Sequence, residues 1–250
     1  MRTIIILLFL TLPAFPQMLQ GIVGGVAPAA TCSTPAQGNL LSAEGFQTAT
    51  TGYEQSGWGT ATGTPDPYYD TTSLTTSKPN GGCNRGFQSN YASSGVWQQN
   101  TWDYGSQRSS TDYLRFYLYV VSTEIITSAD LSIGGFFNNV NGTDGYRVCA
   151  VRLANPGGQL VLRGNGATTS SDINISTGQW YRVEMKCVPN GTSEIKVNGG
   201  TAQTFTATGY TSWRAVGIGA FTSSNNAYTY SNLVFDLVAA DSTGYIGATP

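Results

Sequence analysis

From Tyr113 to Val120 the chain alternates without a break. Leu114, Phe116, Leu118 and Val120 fall on one side, and Tyr113, Arg115, Tyr117 and Tyr119 on the other. A period of two is that of a strand lying in a sheet. It predicts a strand over Asp112–Glu124 with an apolar inner face and an amphipathic outer face. The same reading places strands at Gly145–Leu153 and Gln159–Arg163, joined into a hairpin by Asn155-Pro156-Gly157-Gly158. Trp180–Val188 reads as a strand closed by Pro189-Asn190-Gly191. Ser193–Val197 reads as one closed by Asn198-Gly199, residues that tolerate the positive φ of a tight hairpin turn. Trp213–Phe221 and Tyr228–Val238 complete the set. No segment shows a convincing helical period. Short strands at regular spacing, punctuated by Asn-Gly and Pro-Gly, predict an all-β chain folded as an antiparallel sandwich or barrel.

Three stretches do not fit this pattern. The chain opens Met-Arg-Thr, runs apolar from Ile4 to Leu12 and breaks at Pro13-Ala14-Phe15-Pro16. Residues 1–17 therefore read as an export signal, too short for a bilayer span of about 20 residues. Cleavage fits either the Pro13–Gln17 region or Ala27-Pro28-Ala29. The competing reading keeps the segment as a strand that docks on a neighbouring subunit. Residues 18–38 are rich in Gly, Ala and Pro and read as a tail, and residues 39–250 read as a single domain. Thr48–Thr101 reads as a long loop, a length uncommon without a function.

Composition narrows the picture. Charged residues make up 10% of the chain, against about 25% in ordinary globular proteins. The net charge is −2 and no basic stripe is present, so the footprint of a nucleic-acid binder is missing. A neutral surface rich in hydroxyls and amides suits neutral ligands such as sugars, and equally suits packing against other proteins. The four cysteines, Cys32, Cys83, Cys149 and Cys187, behind an export signal read as disulfides. Cys149–Cys187 is the favoured pair because both lie in strand-like runs of one half of the chain, which leaves Cys32–Cys83. Buried free thiols are the alternative. A metal site fits less well, since there is no C-x-x-C and no histidine.

Several short segments together carry a family resemblance. Glu44-Gly45-Phe46 leads into Gly52-Tyr53-Glu54 and Gly57-Trp58. Gly178-Gln179-Trp180-Tyr181-Arg182-Val183-Glu184 precedes a strand–turn–strand ending in Val197-Asn198-Gly199. Tyr230-Ser231-Asn232-Leu233-Val234 and Gly244-Tyr245-Ile246-Gly247 follow. In order, these resemble laminin G-like members of the concanavalin A-like lectin/glucanase superfamily. The resemblance implies a two-sheet antiparallel jelly-roll sandwich, with Trp180 as a core residue. It does not fix a function, because such folds host lectins, glycosidases, lyases, adhesion modules and structural proteins. Many relatives hold calcium on acidic loops. Here Ser231 stands where an acid is common, and Asp236 and Asp241 form no recognisable ligand set, so no cofactor is predicted.

Without histidine, Ser-His-Asp and Cys-His arrangements are excluded. Two carboxylates could still cleave a glycoside, but the acids are scattered and no E-x-D-x-x-E strand is present. Ser193-Glu194-Ile195-Lys196 matches S-x-x-K, a motif that needs a helical setting and here falls in a predicted hairpin. The sequence thus leans away from catalysis. For binding, Trp97, Gln99, Asn100, Trp102, Asp103 and Tyr104 combine aromatic faces with hydrogen-bonding groups, the pairing a sugar ring needs. The competing reading has Trp97 and Trp102 packing onto the sandwich. Tyr68-Tyr69-Asp70 and Ser223–Tyr228 are secondary candidates, and Asn141, Asn174 and Asn190 fit the glycosylation pattern. The reading preferred is an exported, non-catalytic carbohydrate-binding or adhesion module with a glycan or glycosylated surface as partner. The alternatives are a structural subunit of a filament, virion or surface layer, assembled with copies of itself, and a carbohydrate-active enzyme.

Overall fold

The alternating run at Tyr113 forms a strand, Asp112–Val120, at the middle of a β-sandwich. The computed structural model describes residues 40–44, 87–91, 99–121, 131–139, 146–221 and 230–247, all in the unit Cys32–Pro250. The strands are β1 (Leu40–Glu44), β2 (Phe87–Tyr91), β3 (Gln99–Arg108), β4 (Asp112–Val120), β5 (Leu131–Phe137), β6 (Arg147–Ala154), β7 (Val161–Asn165), β8 (Ile173–Asn174), β9 (Trp180–Cys187), β10 (Thr192–Val197), β11 (Gln203–Thr206), β12 (Trp213–Phe221) and β13 (Tyr230–Asp241). A 3-10 turn at Pro156–Gly158 lies between β6 and β7. No described helix is long and apolar enough to cross a membrane.

Two antiparallel sheets face each other. The larger runs β1-β13-β4-β9-β10-β11, with β2 beside the first half of β13 and β1 beside the second. The smaller runs β3-β12-β5-β6-β7-β8. Leu114, Phe116, Leu118 and Val120 of β4 meet Val183 and Met185 of β9, Phe235 of β13, and Val216, Ile218, Ile133 and Val151 of the smaller sheet in one core. These are the residues that the period of two assigned to the inner face.

Two polar or covalent links cross this core. Cys149 on β6 is bonded to Cys187 on β9, with Cα atoms 5.8 Å apart, so a disulfide ties one sheet to the other. The indole N–H of Trp213 on β12 donates to the buried carboxylate of Asp112 on β4 at 2.9 Å. Cys32 and Cys83 lie outside the described residues.

Several boundaries and elements depart from the sequence reading. β2 falls inside the stretch read as loop, Thr48–Thr101, and β3 begins at its end. β5 was also not foreseen. Its Gly134-Gly135 breaks the alternation, and the reason is spatial. A Cβ on Gly134 would sit 2.8 Å from the Phe116 ring, and one on Gly135 would sit 2.3 Å from the Cys149 carbonyl oxygen. The turn after β10 is as expected: Asn198 and Gly199 have φ of 52° and 73°. One implied role is overturned. Trp180 is only partly buried and points away from the core, while its neighbour Tyr181 takes the core position. β9 begins one residue out of phase with that implication.

Candidate functional site

The outward face of the larger sheet concentrates the polar chemistry of the described chain. Directly opposed residues on antiparallel strands share a face, so the register reads as rows. Val234, Tyr119 and Trp180 form the first, and Asp236, Tyr117 and Arg182 the second. Ala239, Arg115, Glu184 and Lys196 form the third, and Asp241, Tyr113, Lys186 and Glu194 the fourth. The outward positions of β9 and β10 are therefore Arg182, Glu184, Lys186, Glu194 and Lys196. Sequence reasoning missed this set. Its signal was present, as charges at every second residue on two strands joined by a turn.

Arg115 organises the third row. Its side chain is fully buried, and its N–H groups donate to the Leu237 carbonyl at 3.3 and 3.2 Å and to the Gly247 carbonyl at 3.1 Å. Leu237 adopts φ +48° at the irregularity in β13, a conformation costing about 1–2 kcal/mol for an L-residue. That conformation turns its carbonyl onto Arg115, and Asp236 accepts the Leu237 N–H at 2.7 Å. Burial draws the Arg115 guanidinium below its ordinary value. Beside it, Glu184 lies 3.1 Å from Arg182 and accepts the Gly247 N–H at 2.8 Å.

In the fourth row Lys186 donates to Glu194 at 2.9 Å, and Glu194 also accepts the Tyr245 hydroxyl at 2.8 Å. The hydrogen bond from Lys186 holds the Glu194 carboxyl below the usual range, and the same bond raises the Lys186 ammonium. Burial, then Glu194, pushes the Tyr245 phenol far up. A carboxylate whose folded value is depressed gives up its contribution as pH falls through that value. The Tyr245–Glu194 contact is therefore expected to persist at neutral pH and to be lost below the ordinary carboxylate range. The Tyr245 ring resonances in an NMR titration check this, and Glu194→Gln should abolish the transition.

The segment after β13 crosses these two rows. Asp241 accepts from the Thr243 N–H and hydroxyl at 2.6 and 2.7 Å, which turns the chain back over the sheet. Tyr245 then packs edge-on against Tyr113, with ring centroids 5.2 Å apart, and lies 3.8 Å below the Lys196 ammonium. The first two rows lie beyond these contacts. There Tyr119 and Trp180 pack at 5.4 Å, and the Trp180 indole N–H, itself buried, has no hydrogen-bond partner among the described residues.

The residues singled out from sequence are divided by the structure. Trp102 and Tyr104 are partly buried against the core, and Tyr104 meets Trp213 edge-on at 5.0 Å. Asp103 points the opposite way, is exposed, and takes two hydrogen bonds from Arg214 at 2.8 and 2.9 Å, which lower its carboxyl. Gln99 and Asn100 are placed on β3 opposite Gly219 and Ile218. Trp97, Tyr68-Tyr69-Asp70, Asn141 and Ser223–Tyr228 lie outside the described residues. Asn174 and Asn190 are exposed. In the S-x-x-K match, Ser193 is buried 3.3 Å from the Cys149 sulfur, whereas Lys196 faces outward. The two therefore lie on opposite faces of β10.

No protein-family model and no curated protein matches the chain. Solved structures do. An endo-β-1,4-glucuronan lyase from the fungus Trichoderma reesei aligns with TM-score 0.52 and 13% identity, over 77% of this chain and 94% of that one. The globular domain of T. cruzi calreticulin aligns with TM-score 0.51 and 6% identity, over 82% and 88%. The likeness is one of fold. It assigns no activity.

Proposed function

We propose that this chain is an exported, non-catalytic carbohydrate-binding or adhesion module, a laminin G-like member of the concanavalin A-like superfamily. Its ligand would sit at Trp180 and Arg182, the two partly exposed members of the first two rows, whose other side chains (Val234, Tyr119, Asp236 and Tyr117) are buried. The observation that carries this reading is Trp180, a partly exposed ring packed against Tyr119. The apolar C–H face of a sugar ring would stack on the exposed part of the indole. The disulfide and the apolar N-terminal run support export.

The state of the acids supports a binding role over a catalytic one. Seven carboxylates of the described strands and turns already accept a structural hydrogen bond. Asp103 takes Arg214, Asp112 takes Trp213, Asp172 takes Arg163, Glu184 takes Gly247 and Glu194 takes Lys186. Asp236 takes the Leu237 N–H and Asp241 takes Thr243. A glycosidase needs one carboxyl with a raised value, and Asp103 and Glu194 are both lowered. A lyase needs a base. Lys186 is held charged and Tyr245 is held protonated.

The test is a glycan array of neutral oligosaccharides followed by titration calorimetry. Trp180→Ala should weaken binding roughly tenfold or more while leaving the melting temperature near wild type. A blank array, or release of unsaturated uronate ends from glucuronan, would remove the reading. The Trp97–Tyr104 run remains a second surface to probe, with Asp103 as the member turned to solvent, and Asp103→Ala is measured on the same array. Glycans on Asn174 and Asn190 would leave the Trp180 face clear if their removal does not change affinity.

A further inference from the structure

We propose that the third and fourth rows form a peptide-binding groove whose resident ligand is the chain's own Tyr245-Ile246-Gly247 segment. The groove accepts the same segment in trans from a second copy. The receptor groups are Tyr113 and Arg115 on β4, Glu184 on β9, and Glu194 and Lys196 on β10, all held at fixed spacing by regular strands. The occupant is irregular chain that leaves the sheet at the Asp241 turn.

The contacts have the form of recognition by a site. Both backbone groups of Gly247 are read, the N–H by Glu184 at 2.8 Å and the carbonyl by Arg115 at 3.1 Å. Opposite charges thus receive the donor and acceptor ends of one residue, which fixes the direction of the bound chain. Two residues earlier, the Tyr245 ring sits between Tyr113 and the Lys196 ammonium, and its hydroxyl reaches Glu194 at 2.8 Å. The ligand class that follows is a short peptide with Tyr two residues ahead of Gly. Ile246 between them is buried. In one chain the tether after β13 supplies a high effective concentration, so the groove is filled in cis. Two copies that exchange the segment satisfy the same contacts, a low-cost route to assembly.

The experiment uses the full-length chain carrying Tyr245→Ala and a blocked Thr-Gly-Tyr-Ile-Gly peptide as probe. The variant should melt below wild type, and the peptide should bind it saturably and restore part of the lost melting temperature. Wild type, with the groove occupied, should bind the peptide at least about tenfold more weakly. A Thr-Gly-Ala-Ile-Gly peptide should bind the variant about tenfold more weakly than the Tyr peptide. If Tyr245→Ala fails to fold, Tyr245→Phe is used, which keeps the ring and removes only the bond to Glu194. The peptide should then still bind Tyr245→Phe more tightly than wild type. A folded variant that ignores the peptide at millimolar concentration overturns the proposal, as does equal binding by variant and wild type.

Discussion

Replacing both Cys149 and Cys187 by Ala is expected to cost about 4 kcal/mol of folding stability. The bond spans 38 residues, and a closed loop of that length removes about 4 kcal/mol of chain entropy from the unfolded state. Both cysteines are fully buried, one on each sheet, so the link acts across the core and not along an edge. Ala is the correct replacement. Ser would place a new hydroxyl in an apolar site where Cys149 already contacts the Ser193 oxygen at 3.3 Å. For a domain of this size the loss corresponds to a fall in melting temperature on the order of 10 °C. Urea denaturation of the double variant, beside wild type with and without reductant, measures it. Reduced wild type should lose at least as much stability as the variant. A difference below about 1 kcal/mol would mean that packing alone holds the sheets together.

The parts of this fold that were legible in sequence share one physical property: one face apolar, the other polar, with no interruption. β4 shows it, and so does β9, the strand that carries Cys187 of the favoured Cys149–Cys187 pairing. β5 lost the signal because the close approach of Phe116 and the Cys149 carbonyl demands glycine at two successive positions. β3 lost it for a different reason. Trp102 and Tyr104 alternate with Thr101, Asp103 and Gly105, a pattern that serves an aromatic binding run and a core-facing edge strand equally well. The outward charges of β9 and β10 were visible one by one. What they do depends on residues far along the chain, since Glu194 meets Tyr245 across 51 positions and Arg115 meets Gly247 across 132. Local periodicity carries no information about such pairings. Trp180 illustrates the limit from the other side. A family pattern placed it in the core, and the phase of β9 places Tyr181 there instead.

Trp213→Ala should be comparably damaging, at about 3–5 kcal/mol, the usual cost of emptying a large buried aromatic site. Trp213 is fully buried and central to an aromatic group. Phe136 meets it at 4.7 Å and Tyr104 at 5.0 Å, and the Arg108 guanidinium lies over its ring at 5.4 Å. Removing it also takes one donor from Asp112, a carboxylate with no exposed surface whose other partners are Ser110 at 2.6 Å and Arg108 at 3.5 Å. Trp213→Phe separates the two effects. It keeps most of the packing and loses only the N–H, so it should cost about 1–3 kcal/mol. If the hydrogen bond is what matters, Trp213→Phe and Asp112→Asn should couple by about 0.5–3 kcal/mol in a double-mutant cycle followed by urea denaturation. Because Tyr104 rests on Trp213, amide exchange along β3 should rise before exchange along β4. Additive single-variant costs with unchanged β3 exchange would show that Asp112 and Trp213 are neighbours in the core without acting as a link between the sheets.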